Sequence, residues 1–548
     1  MTPLTGAQQA DTVAAAFAAA HARYANHDFL EVLPTVAGAL GIEARTWTYA
    51  QAATEIERLR AAYRAAGFSH GHRAGLLLLN RPEFLFHFIA LNALGVSVVP
   101  LSPEWRNAEL EYLLGHSEIC VAATIPARAE TLAQAARATG SALVLTDPQG
   151  SAIAPAPHTA PKLPLPIDAD SECALLYTSG TTGQPKGCVL PNEYFLCAGR
   201  WYAGAGGLTT VRPGIERMLT PLPMMHMNAL AYSTMCMIVS GGCLVLLDRF
   251  HPKSWWASVR QSRATIVHYL GVMPAILLAD PPTPADRDHA VRFGFGAGVN
   301  PRHHAAFEAR FGFPLIEAWA MTETGAGAVL VANREPRHVG TSCLGVASAD
   351  LECRVVDEHG TEVRPGEPGE LLVRHAGAHP RFGFFRNYLK DEEATSEAWR
   401  NGWFHTGDLV SRDAQGVFRF VDRRKNIIRR SGENISAVEV EAVLVQHPAV
   451  GNAAVTAVPD ELRGDEVFAC IVPTENVPDP VRLAHELGAL CRERLAYYKA
   501  PGYVAFCAAL PLTRTEKLQR SELRELARRL LEEGSCIDLR GLKRRGAQ

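Results

Sequence analysis

Tyr177-Thr178-Ser179-Gly180-Thr181-Thr182-Gly183-Gln184-Pro185-Lys186-Gly187 is the stretch on which the reading of this 548-residue chain turns. It follows Cys173-Ala174-Leu175-Leu176, a short apolar run that reads as a buried strand. Glycines let backbone N–H groups approach an anion, hydroxyls donate further hydrogen bonds, and Lys186 adds positive charge. That is the chemistry of a triphosphate cradle. The spacing differs from the G-x-x-x-x-G-K-[ST] of a P-loop NTPase, because Pro185 precedes the lysine and Gly187 follows it. Taken alone, the stretch reads equally well as a Gly/Thr-rich surface turn.

Composition bounds what surrounds it. A chain of 548 residues exceeds a single core, so two or more domains are expected. Hydrophobic residues make up 47% and charged residues 20%, the balance of a soluble globular protein. A net charge of -3 argues against a general nucleic-acid binder. The 12 cysteines are scattered, without a C-x-x-C pair or a histidine at zinc spacing, and read as reduced packing residues of a cytoplasmic protein. Residues 1–20 lack the layout of a signal peptide. Residues 218–247 carry no formal charge and are long enough to cross a bilayer. Pro221, Pro223, His226, Asn228 and Gly241-Gly242 interrupt them, so they read as a loop, a buried helix and a strand at 243–247. The pair His303-His304 reads as helix surface, and the basic tail 539–545 as a frayed terminus.

Strands alternating with helices at 47–114, and again from the Gly/Thr stretch to about residue 318, imply parallel βαβ units. The Pro/Ala-rich segment 151–166 reads as a linker between two α/β lobes. At about 345–420 short strands with Gly/Pro turns suggest a small β-barrel-like part. A basic cluster, Arg423, Arg424, Lys425, Arg429 and Arg430, then marks a boundary, and its plain reading is a solvated face. The expected fold is therefore α/β: a large N-terminal domain, 1–422, of two βαβ lobes plus the barrel-like part, and a smaller α+β C-terminal domain, 423–548.

Five more stretches follow in a fixed order. They are Trp319-Ala320-Met321-Thr322-Glu323-Thr324-Gly325; Gly369-Glu370-Leu371; Gly402-Trp403-Phe404-His405-Thr406-Gly407-Asp408; 422–432, beginning Asp422-Arg423-Arg424-Lys425; and 510–517, from Leu510-Pro511 to Lys517. Together with the first they resemble the adenylate-forming superfamily of acyl-CoA synthetases, luciferases and peptide-synthetase adenylation domains, over about residues 46 to 520. Within it, Arg430-Ser431-Gly432-Glu433-Asn434-Ile435 and Thr515-Glu516-Lys517-Leu518-Gln519 resemble the carnitine/crotonobetaine–CoA ligase branch and its fatty-acid relatives.

The resemblance implies an ATP- and Mg²⁺-dependent ligase joining a small-molecule carboxylic acid to coenzyme A through an acyl-adenylate. It assigns Thr178, Ser179, Gly180, Thr181, Thr182, Gly183 and Lys186 to the β- and γ-phosphates. Thr322 would touch the α-phosphate and Glu323 would bind the metal, where a helix-capping pair is the rival reading. Trp319, followed by Ala320 and Met321, stands where the family places an aromatic against adenine; a core aromatic is the alternative. Gly296-Ala297-Gly298 matches the small-residue turn along the adenine and the acyl group. Asp408 and Arg423 would hold the ribose. Lys517 would bridge the carboxylate and the α-phosphate, although Glu516 stands where the family has glycine. Lys425 is the expected hinge of a mobile C-terminal domain, and Gly432 would approach the pantetheine arm. His226 would close the acid pocket, or else be a satisfied core histidine. Met224, Val272, Met273, Pro274, Ala297, Gly298 and Met321 are the acyl-pocket candidates. A homodimer is the default assembly. The rivals are an enzyme loading a carrier protein and a nucleotide-binding sensor without catalysis.

Overall fold

The computed structural model describes residues 10–543, apart from 162, 164–165, 179–183, 424–426, 475–477 and 512–517. The chain divides into two compact units. The larger comprises Met1–Pro103, Leu114–Leu176 and Gly187–Asp422; the smaller comprises Glu104–Leu113, Tyr177–Lys186 and Arg423–Gln548.

The centre of the larger unit is a run of parallel strands: Leu315–Trp319, Phe293–Ala297, Ile266–Leu270, Arg217–Thr220, Cys243–Leu246 and Asp28–Val32, in that spatial order. Cys243–Leu246 is buried at every position, as a parallel strand covered on both faces must be. Because these strands run the same way, residues that follow their carboxyl ends collect along one edge. Open α/β sheets bind ligands along that edge. A second sheet orders Asn387–Tyr388, Lys186–Pro191, Glu172–Thr178, Ser97–Pro100, Arg73–Leu77, Val121–Thr124 and Val144–Thr146. The antiparallel strands Cys343–Val346, Leu351–Val356, Pro368–His375, Phe404–Arg412 and Val417–Arg423 continue the first sheet, joined to it through Leu330–Val331.

The uncharged run 218–247 is internal. It forms the strand Arg217–Thr220, a π-helical turn Asn228–Ser233, the buried helix Thr234–Ser240 and the strand Cys243–Leu246. Among the described residues no helix is long and apolar enough to cross a membrane. The strand Arg73–Leu77 stops short of Leu79, which, at φ 59°, takes a left-handed turn that extended pairing cannot include. The Pro/Ala-rich segment is docked. Ala156 N–H donates to Ala66 O (2.7 Å), and His72 Nε2 bonds His158 O (3.0 Å).

In the smaller unit one sheet contains Glu433–Ser436, Ile427–Arg430, Gly464–Pro473, Val450–Asp460, Tyr503–Phe506 and Ile537–Asp538, packed with the helices Ala437–Leu444, Pro480–Arg494 and Arg520–Glu532. Three surface expectations are corrected. Arg430 is no solvated face: it is 1% exposed and donates through Nε to Glu466 (2.8 Å). The basic tail is not frayed over its described part, since Leu539 is buried and Lys543 pairs with the same Glu466. In the larger unit, His304 is buried and bonds Glu308 and Leu315 O. In each case a long or aromatic polar side chain turned inward because a buried acceptor was waiting, which local sequence does not reveal.

Candidate active site

The strand Leu315–Trp319 ends with a buried Trp319 whose indole N–H donates to Asp408 Oδ2 at 2.8 Å. Both side chains are almost fully enclosed. The ring packs into the main core, as the rival reading expects, yet its one polar atom is aimed at the carboxylate assigned to the ribose. Asp408 lies in the strand Phe404–Arg412. Thr406 Oγ1 accepts the Asp408 N–H (3.0 Å) and donates to Leu371 O (2.7 Å), and Glu370 Oε1 accepts the Gly407 N–H (3.1 Å). Burial disfavours charge on Glu370, but the His405 ring 3.6 Å away, the Gly407 N–H hydrogen bond and the charge of Arg400 outweigh it and hold its carboxyl below the ordinary value. The Gly369-Glu370-Leu371 motif thus braces the backbone that presents Asp408.

Ala320, Met321, Thr322 and Glu323 form the turn leaving the Trp319 strand. Thr324 Oγ1, not Thr322, caps this turn by accepting the Met321 N–H (2.9 Å). Glu323 is buried, and its Oε1 accepts the Tyr388 hydroxyl at 2.9 Å while its backbone carbonyl accepts the Phe385 N–H (2.9 Å). Burial first, then the neighbouring carboxylate, push the Tyr388 phenol well above its ordinary value, so it stays a neutral donor. Tyr388 itself pairs with Cys188, just after the Gly/Thr stretch.

Gly296 and Ala297 close the adjacent strand Phe293–Ala297, with Gly298 next, and Gly296 pairs with Glu317. A Cβ on Gly296 would meet Tyr269 O at 2.3 Å, so no larger residue fits. Glu317 Oε1 accepts the Val299 N–H (2.8 Å) and fixes the turn beyond it. His226 is half-buried and leads into the π-helical turn after the strand Arg217–Thr220. Asn80 pins the preceding loop: its amide donates to Leu222 O and Leu247 O (2.8 Å each) and accepts the Met224 N–H (2.8 Å). Met224 and Met273 are buried in two different core clusters.

The structure thus brings together Trp319, Ala320, Met321, Thr322, Glu323, Asp408, Gly296, Ala297 and Gly298. Thr178 and Lys186 end and begin the strands flanking 179–183. Ser179, Gly180, Thr181, Thr182, Gly183, Lys425 and Lys517 lie outside the described residues, as does Glu516. Arg423 ends its strand. Gly432 (φ 89°) follows Ser431 (φ 50°) in the two-residue hairpin between Arg430 and Glu433, a primed turn that requires positive φ at both positions. Tyr388 and Asn80 escaped the sequence reading. Each acts on a residue 65 or more positions away, with no local signal.

One histidine–cysteine group, His72, Cys120 and His158, places three ligand atoms within 4.8 Å of one another. Both His72 ring nitrogens are engaged, Nδ1 by the Ser69 N–H and Nε2 by His158 O, so this ring anchors the docked linker.

The sequence model described as AMP-binding enzyme matches residues 19–385, and that described as AMP-binding enzyme C-terminal domain matches 439–517. The chain belongs to the AMP-binding enzyme family. It is 31% identical to a sulfoacetate–CoA ligase of Cupriavidus necator over 519 residues, 90% of this chain and 98% of that one. It is 28% identical to a crotonobetaine/carnitine–CoA ligase of Shigella flexneri over 492 residues, 87% and 93% of the two chains. Among solved structures it resembles the o-succinylbenzoate CoA synthetase of Bacillus subtilis bound to a product analogue, with TM-score 0.79, 25% identity, and coverage of 93% of this chain and 98% of that chain. The Trp319–Asp408 contact lies at the carboxyl end of the strand Leu315–Trp319, the edge along which open α/β sheets bind ligands.

Proposed function

We propose that the chain is an ATP-dependent, AMP-forming acid–CoA ligase acting on a small-molecule carboxylic acid. The Trp319–Asp408 contact carries the reading, because an adenine face and a ribose acceptor meet on the sheet edge that also bears Thr322 and Glu323. In the first half-reaction a carboxylate oxygen attacks the α-phosphorus, the bond to pyrophosphate breaks, and the acyl-adenylate forms. In the second the CoA sulfur attacks the acyl carbon, the bond to the phosphate oxygen breaks, and AMP leaves.

Asp408 accepts from the ribose hydroxyls and Arg423 is its partner. Trp319 lies against adenine, beside Gly296-Ala297-Gly298. The Gly/Thr stretch, with Thr178 and Lys186 at its ends, holds the departing phosphates. Lys517 stabilises charge that develops at the α-phosphate. Lys425 is the hinge, Gly432 borders the thiol path, and His226 closes the acid pocket. The Thr322 hydroxyl contacts the α-phosphate, and the Glu323 carboxylate is a hard oxygen donor of the kind Mg²⁺ takes. A bound Mg²⁺ supplies charge neutralisation at the phosphates; Tyr388 holds the Glu323 carboxylate in place. The setting is a reducing cytoplasm, consistent with twelve unpaired cysteines, and the assembly a homodimer.

The test is pyrophosphate release across a panel of sulfoacetate, betaine-type, short-chain and aromatic acids, with and without CoA. Acid-dependent pyrophosphate, followed by acyl-CoA and AMP when CoA is added, is expected. Release of inorganic phosphate without any acid would overturn the reading.

A further inference from the structure

The cysteines fall into two classes. Most are deeply buried, and burial pushes the thiols of Cys197, Cys243 and Cys491 up to about 12, far from any thiolate at neutral pH. Cys507 differs. It is half-buried and follows the strand Tyr503–Phe506, where its N–H donates to Ile471 O at 2.8 Å. The parallel register sets Cys470 opposite Ala505, so Cys507, two residues further on, points to the same face as Cys470. Both side chains pack in one apolar cluster. The neighbouring Cys470 thiol holds the Cys507 thiol below its ordinary value against the effect of partial burial. Cys536 packs in the same cluster.

We propose that Cys507 and Cys470 are a peroxide-sensitive thiol pair that closes reversibly to a disulfide. The Cys507 thiolate attacks one oxygen of hydrogen peroxide; the O–O bond breaks, and the departing hydroxide takes up a proton to leave as water. Cys507 is then a sulfenic acid. The Cys470 sulfur attacks the Cys507 sulfur, the S–O bond breaks, and the thiol proton leaves with the hydroxide as a second water. Two thiols lose two electrons and one peroxide becomes two waters. Cys507 meets the oxidant because it alone of the pair is accessible; Cys470, at 0% exposure, serves only as the resolving thiol.

The pair sits diagonally across two strands, so closing the bond displaces the end of the strand Tyr503–Phe506. A disulfide made against backbone geometry is readily reduced, which suits a switch better than a staple. The displaced segment leads through buried Leu510 to Pro511, whose carbonyl accepts the Gln519 N–H at 2.9 Å. These two residues close the base of the segment that carries Lys517. Resting on the proposed function, oxidation therefore impairs adenylation by displacing that base.

The full-length protein is reduced, freed of reductant, treated with hydrogen peroxide, alkylated and digested. The expected product is a Cys470–Cys507 cross-linked peptide, lost on adding dithiothreitol. Cys507→Ser gives no cross-link, and Cys470→Ser leaves a sulfenic acid at Cys507 that dimedone traps. Pairing of Cys507 with Cys536, oxidation of Cys507 to sulfinic acid without a cross-link, or no reaction would each overturn the pair. Acid-dependent pyrophosphate release should fall by about 10²-fold on oxidation, the scale for misplacing a catalytic group by about 1 Å, and recover with dithiothreitol. Cys507→Ser should keep its rate after peroxide. A cross-link without loss of rate overturns the coupling to the Lys517 segment. If untreated enzyme releases no pyrophosphate with any acid, the proposed function fails while the cross-link result stands.

Discussion

Two buried carboxylates, one in each unit, have opposite surroundings. Asp408 accepts a neutral indole N–H from Trp319. Glu466 sits between the Arg430 guanidinium and the Lys543 amine, all three nearly inaccessible. The indole N–H orients the Asp408 carboxylate at the end of the Trp319 strand. The Arg430 guanidinium cancels the Glu466 charge, and that group serves the fold. The larger unit holds its carboxylate by an oriented neutral donor, whereas the smaller unit uses buried charge to hold its strands and its tail together. The Arg430 Nη2 atom has no hydrogen-bond partner among the described residues, so the smaller unit's cluster is not fully satisfied.

The sharpest way to break this contrast is Glu466→Ala. It strands the buried Arg430 guanidinium and should cost about 3–5 kcal/mol of stability, measured by chemical denaturation; a change near zero would mean the cluster does not hold the unit together. Next, Lys517→Ala should cut adenylation by roughly 10²–10³-fold. Thioester formation from supplied acyl-adenylate should survive, and equal loss of both half-reactions in stopped-flow assays would refute the assignment. Trp319→Phe keeps the ring but removes the N–H donor to Asp408. Losing a hydrogen bond to a charged group costs about 1.5–3 kcal/mol of stability, so the thermal midpoint should fall, and the KM for ATP should rise as Asp408 loses its orienting donor. An unchanged KM would make Trp319 only a core residue. Tyr388→Phe should act on Glu323 in the same way, raising the Mg²⁺ concentration needed for half-maximal rate and lessening the Mg²⁺-dependent thermal stabilisation by ATP; no change in either would remove Tyr388 from the site.

The smallest effect concerns pH. Burial first, opposed by Glu466, pushes the Lys543 ammonium down to about 7, against an ordinary 10.5. Between those values the unfolded chain holds a proton that the folded chain has released, so stability should rise as pH goes from 7 towards 10.5 and be lost as pH falls back through 7. Lys543→Met should flatten that slope; an identical slope in both proteins would show that Lys543 does not titrate in this window.

The parallel strands were legible because each is a local pattern: an apolar run of strand length, followed by a turn of small or polar residues. Trp319, Thr322, Glu323 and Asp408 were marked instead by their resemblance to family motifs, which no periodicity supplies. Glu370 was visible only as part of a motif, and its brace on Gly407 depends on a strand pairing 37 residues away. Tyr388 lies in a two-residue strand, too short for periodicity to mark. His304, Arg430 and Lys543 were misread as surface because polar side chains in helices and tails are usually solvated, and only packing reveals a buried acceptor within reach.

Sequence by itself determined the class of the chain, its two-part organisation around parallel strands, and the order of its chemical motifs, since these rest on near-neighbour patterns that survive without knowing what touches what. Tertiary structure alone decided that the Trp319 indole meets Asp408, that a phenol from a distant strand holds Glu323, and that two thiols far apart in the chain pack in one cluster. Such contacts join residues tens of positions apart, and pairing across that separation is fixed by strand register and burial, not by any property of the residues themselves.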